Sequence, residues 1–106
     1  MTKMEKMAIR IMEILKEEHA DIDVHIYYDN KRMSNKRIEK DVLVKDYLEY
    51  YNRSNPKAIA MTFEGTLYHD INYGSNKIFK RLESLFNENG YYSEFGHAWS
   101  LSIYKQ

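Results

Sequence analysis

Across residues 74–104 the hydrophobic spacing changes once, from a helical to an alternating period, and Gly90 stands at the change. Ile78, Phe79, Leu82, Leu85 and Phe86 form one apolar stripe opposite Lys77, Lys80, Arg81 and Glu88, which is the pattern of an amphipathic helix. Ser75 offers a capping hydroxyl before it, and Gly90 offers the left-handed residue that ends it. Two alternating runs follow, 91–95 and 98–104, joined around Gly96 and His97 and expected as a β-hairpin with Trp99, Leu101 and Ile103 facing inward. A helix that feeds a hairpin through one glycine buries its stripe most simply against a sheet that includes the hairpin. This stretch therefore constrains the chain to helices layered on strands.

Loop parity sets what opposes Trp99. A two-residue loop puts Tyr92 and Glu94 on its face, whereas an odd loop with Gly96 in the left-handed position puts Tyr91 and Ser93 there. Burying an unpaired carboxylate is costly, so the expectation is the odd loop, or else a partner such as Lys for Glu94.

The rest of the chain supplies the second layer. Thr2 and Glu5 fit a capping box, and Met4, Met7, Ala8, Ile11, Ile14 and Leu15 then keep helical spacing, widened by Ile9 and Met12. From Ile22 the period becomes two, with Ile22, Val24, Ile26 and Tyr28 on one face and Asp23, His25 and Tyr27 on the other. Asp29-Asn30 suits a tight turn back through Lys31, Arg32 and Met33. A second helix is expected over 41–52, capped by Asp41 with Val44, Tyr47, Leu48 and Tyr51 on one face, and Pro56 closes it off. Residues 57–64 alternate Ile59, Met61 and Phe63 with Ala58, Ala60 and Thr62, and the small residues mark a central strand packed on both faces. After Gly65 a helical turn begun at Thr66 is favoured over a strand, because Asp70 and Asn72 are poor strand formers. The fold class expected is α+β: one domain over 1–106, with a mainly antiparallel sheet of about four strands and two or three helices packed largely on one face.

Few function classes survive the composition. Zero Cys excludes disulfides, thiolate zinc sites and cysteine nucleophiles, and suits a cytoplasmic location. No apolar run is long enough for a membrane span, and no membrane partner is expected. Sixteen basic residues balance sixteen acidic ones, so no overall field draws the chain to nucleic acid.

The titratable residues form few constellations. Asp21, Asp23 and His25 share one face of an extended stretch as candidate metal ligands, but strand spacing projects them in parallel, so a solvated face is the better reading and no metal is expected. His69-Asp70 lacks a serine in a nucleophile-elbow context, and His97 beside Gly96 reads as a turn residue. Glu17-Glu18 and Asp21-Asp23 pair carboxylates at a polar helix end, where solvation explains them. With no glycine-rich phosphate loop either, no cofactor and no catalytic residue is assigned, and the reading leans away from an enzyme.

What remains is recognition. Ten Tyr residues are many for this length, and tyrosine combines a broad apolar ring with a polar tip suited to contact surfaces. Lys31, Arg32, Lys36, Arg37 and Lys40 form the one basic patch, with Tyr27 and Tyr50 nearby, and these residues are the expected partner-binding surface. The expected partner is another protein. Nucleic acid is the alternative, with the cations on phosphates and the tyrosines stacked on bases. A homodimer through an edge strand of the closing hairpin is also open. In size, tyrosine content, Lys-over-Arg bias and lack of motifs the chain is similar to small accessory proteins of phages and mobile elements, including anti-CRISPR inhibitors. That resemblance implies a non-enzymatic inhibitor that occupies another protein's working surface.

Overall fold

The computed structural model describes residues 2–29, 31–40 and 58–106. In chain order these form α1 (Lys3–Glu17), β1 (Val24–Tyr28), β2 (Lys31–Met33), β3 (Ile38–Glu39), β4 (Ile59–Phe63), α2 (Gly65–Asn72), α3 (Lys77–Glu88), β5 (Tyr91–His97) and β6 (Ser100–Lys105). The strands make one sheet in the order β3-β2-β1-β4-β6-β5, every neighbouring pair antiparallel. The class is α+β as expected, with more strands than the sequence indicated.

Register places alternate side chains on one face in continuous rows. Ile26 lies opposite Met33 on one side and Met61 on the other, and Met61 lies opposite Leu101. These residues, with Val24, Tyr28, Ile59, Phe63 and Ile103, meet Ile11 and Leu15 of α1, Leu67 of α2 and Leu82 and Phe86 of α3 in one buried cluster. All three helices therefore cover the same face, because each has one apolar stripe to bury and the sheet offers one row of large side chains. Arg81 of α3 fastens the layer at its rim, donating to Glu17 and Glu18 at the end of α1 at 2.8 Å each.

The opposite face is built from smaller residues. Ala58, Ala60, Ser100 and Ser102 are buried there with Tyr27 and Tyr104. The prediction that β4 is central and packed on both faces holds, since it lies between β1 and β6 and its Ala60 is as buried as its Met61.

Several local expectations need correction. Strand β1 starts at Val24, because Asp23 takes a positive φ of 61° and leaves Ile22 outside the ladder and 63% exposed. Thr2 does cap α1 by accepting the N–H of Glu5 at 3.0 Å, but the Glu5 side chain reaches Tyr28 and Lys31 instead of closing the box. Helix α2 begins from Glu64 without a side-chain cap, in place of Thr66. Helix α3 begins from Asn76, whose side chain makes no cap bond, in place of Ser75. Its first N–H groups go to Asp70 instead. Gly90 does end the helix with a φ of 77°, a conformation that a β-carbon disfavours.

The closing hairpin turns later than expected, through Ala98 and Trp99, with a bulge between Phe95 and His97. Tyr91, Ser93 and Phe95 share the face of Leu101 and Ile103, and Glu94 points the other way, exposed opposite Ser102. The odd-parity partition therefore stands, produced by a two-residue turn plus one bulged residue. Trp99 is the exception to the inward set: it sits in the turn, only partly buried, while Leu101 and Ile103 enter the core. The helix expected over 41–52 lies outside the described residues.

Candidate functional site

Three chain reversals meet at one end of the sheet. The first is the left-handed residue Asp23 before β1, the second is the β4–α2 junction at Glu64 and Gly65, and the third is the Ala98–Trp99 turn. Backbone hydrogen bonds hold them together: Glu64 N–H donates to the Asp23 carbonyl at 3.1 Å, and Phe63 N–H donates to the Trp99 carbonyl at 2.8 Å. Asn72 of α2 adds a side-chain tie, donating from Nδ2 to the Ala98 carbonyl at 2.9 Å. Gly65 makes the sharp reversal possible with a φ of 67°, which a β-carbon disfavours.

Between these reversals lies a pocket of about 380 Å³, lined among the described residues by Asp23, His25, Tyr27, Thr62, Phe63, Glu64 and Trp99. His25 and Thr62 face each other across β1 and β4, so sheet register puts both on the pocket floor. Trp99 is held at the rim, its ring stacked on His97 with centroids 4.8 Å apart and planes 11° from parallel.

Among the described residues that line it, the pocket carries two carboxylates, Asp23 and Glu64, and no Lys or Arg. Among the described residues neither Asp23 nor Glu64 takes part in an ion pair. His25 does not offset them, because burial first, and the Arg32 guanidinium second, hold its pKa below the ordinary imidazole value. Its buried Nδ1 has no hydrogen-bond partner among the described residues. Asp23, His25 and Glu64 share the pocket without forming a metal set: no group of three such side chains among the described residues could hold a metal ion.

The residues expected to bind a partner are largely engaged within the chain. Lys31 Nζ lies 3.5 Å from Glu5 Oε2. Arg32 pairs with Glu39, and Arg37 Nη2 lies 2.7 Å from the other oxygen of the same carboxylate. Lys36 and Lys40 are exposed and in no ion pair among the described residues. Tyr27 is only 5% exposed, in the layer over the small-residue face of the sheet. Tyr50 lies outside the described residues. Sequence reasoning placed Asp23 and His25 on one face but missed Glu64 and Trp99, because only the long-range pairings of β4 with β1 and β6 bring them in. No family model, curated protein or solved structure matches this chain.

Proposed function

We infer that this protein is a non-enzymatic protein-binding module, of the kind used by small inhibitors and accessory proteins of mobile elements, which seats a cationic side chain of its partner in the Asp23–Glu64–Trp99 pocket. The observation that carries the reading is the pairing of two carboxylates, free of ion pairs among the described residues, with an indole at the rim of one concave site. A guanidinium or ammonium group satisfies both features at once, through charge-assisted hydrogen bonds to the carboxylates and cation–π contact with the ring. A neutral His25 on the floor leaves that attraction uncancelled. The three backbone-tied reversals support the reading further, since a preorganised site loses little conformational freedom on binding.

Trp99 is the only tryptophan, so its fluorescence reports directly on the pocket. A peptide with one central arginine flanked by glycines is expected to change that fluorescence saturably, and the same peptide with citrulline is expected not to. Asp23→Asn combined with Glu64→Gln should remove the response. An equal response to citrulline, or none to arginine, overturns the reading. Tight binding of single-stranded RNA with a steep salt dependence, lost in Lys36→Ala with Lys40→Ala, replaces it with the nucleic-acid alternative.

A second reading has one observation behind it: His25 shares a pocket with Glu64 of a distant segment and with Asp23 of its own, as a general base would. Among the described residues nothing hydrogen-bonds its Nδ1 to orient the ring, so the binding role is the better supported.

A further inference from the structure

The two edges of the sheet are unlike. At one, β3 is two residues long, and the adjoining hairpin carries Arg32, Arg37 and Glu39 in ion pairs. At the other, β5 runs for seven residues with one charged side chain, Glu94, and only the bulge after Phe95 to interrupt it. Short, charged edges resist further pairing, whereas a long edge with few charges invites it. Tyr92 and Phe95, 41% and 49% exposed, are two of the large hydrophobic residues left in solvent, and both lie on β5. Each rests on a neighbouring ring, Tyr92 on Tyr104 with centroids 5.4 Å apart and Phe95 on Phe79 of α3 at 5.2 Å, so the free edge has an aromatic lip on both faces.

We propose that two copies of this chain pair antiparallel through β5, about a twofold axis at Ser93, to make one continuous sheet. The hydrogen-bond parity of the strand and its side chains together select the register. Gln106 N–H donates to the Gly90 carbonyl at 2.8 Å, which makes that pair a bonded one. Antiparallel ladders alternate bonded and non-bonded pairs, so Tyr92 and Glu94 direct their backbone groups inward to Tyr104 and Ser102, and Tyr91, Ser93 and Phe95 direct theirs outward. A twofold axis can stand at an outward residue, which then bonds its own copy, or at an inward one flanked by bonded pairs of outward residues. An axis at Tyr91 runs off the strand into the end of α3, and one at Phe95 runs into the bulge, where the alternation fails. The axis at Ser93 avoids both. It sets Tyr91 against Phe95 of the second copy on the helix-bearing face, and Tyr92 against Glu94 on the other, each contact made twice. The exposed aromatic rings are then covered, and each Glu94 carboxylate meets a phenol. A register with Glu94 against itself would oppose two carboxylates, and one with Tyr92 against itself would leave Phe95 beyond the end of the second copy's β5.

Sedimentation equilibrium tests this on the whole chain. The wild type is expected to move from the single-chain mass of 12.8 kDa to twice that value as concentration rises. Ser93→Pro removes an outward N–H that no strand among the described residues uses, and it should remain at the single-chain mass with an unchanged circular dichroism spectrum. In a chain with zero Cys, Ser93→Cys should be joined to itself by a short thiol cross-linker much faster than Glu94→Cys. A wild type that stays at the single-chain mass, or a Ser93→Pro variant that dimerises like the wild type, overturns the proposal. If Ser93→Pro does not fold, equal cross-linking of the two cysteine variants overturns it.

Discussion

Asp70 caps a helix to which it does not belong, its Oδ2 accepting the N–H of Ile78 at 3.1 Å and also that of Phe79 at 3.2 Å. The carboxylate comes from the last turns of α2 and meets two otherwise unpaired donors at the positive end of α3. Asp70 is almost fully buried, so its removal leaves those donors without water as a substitute. Asp70→Ala is expected to cost about 2 kcal/mol, combining a lost cap with buried unsatisfied N–H groups. Asp70→Asn should cost less, because an acceptor remains. Urea denaturation midpoints of the two variants check the order, and equal midpoints for Asp70→Ala and the wild type would remove the capping role.

Trp99 lines the pocket and Phe86 belongs to the core, so their substitutions should have different effects. Phe86 is fully buried under the sheet, and Phe86→Ala is expected to cost roughly 3–5 kcal/mol. Trp99, partly exposed at the turn, leaves a smaller unfilled volume when truncated, so Trp99→Ala should cost less than half as much while weakening arginine-peptide binding by tenfold or more, of the order of 1.4 kcal/mol. Since the reporter is lost in this variant, calorimetric titration is the appropriate binding measurement.

His25 makes stability depend on pH on the acid side. Its folded pKa is depressed by burial and by Arg32, so the unfolded chain takes up a proton before the folded one. The contribution is fully present above about pH 6.5, the ordinary imidazole value, and is lost as pH falls through the lower folded value. His25→Gln should show a shallower fall in melting temperature between neutral and mildly acidic pH. An identical pH profile for the two proteins would contradict the burial assigned to this ring.

Tyr28 acts at the alkaline end. Burial, the Glu5 carboxylate, a 3.4 Å hydrogen bond to Glu5 Oε1 and the Asp29 charge push its phenol up to about 12. The unfolded phenol ionises near 10, so the contribution is complete below about pH 10 and is lost as pH rises through the folded value. Tyr28→Phe should flatten alkaline denaturation in that window. The difference in ultraviolet titration between the two proteins should appear near pH 12, and a difference centred on pH 10 would place the ring in solvent.

The parts of the fold legible in the sequence are those in which a residue's role depends on near neighbours. The stripe of α3 and the glycine stop follow from spacing alone, and so does the alternation of β4. The pocket was not legible, because Glu64 and Trp99 join Asp23 and His25 only through β1–β4 and β4–β6 pairings that no local pattern specifies. Trp99 misled for a related reason. Its size suggests burial, but the bulge after Phe95 moves the turn two residues along and leaves the ring at the rim. The basic segment reads as a contact surface until β2 and β3 pair, which brings Glu39 between Arg32 and Arg37. Asp70 shows the same limit, since its partners are eight and nine residues ahead, beyond any capping-box spacing.

The blunt β3 edge gives the sheet a direction of growth. A sheet with two receptive edges adds copies without limit and becomes a fibre, while a sheet with one receptive edge stops when that edge meets its own image. The pairing of Arg32 and Arg37 with Glu39 at the short edge thus also bears on where the proposed pairing through β5 would stop.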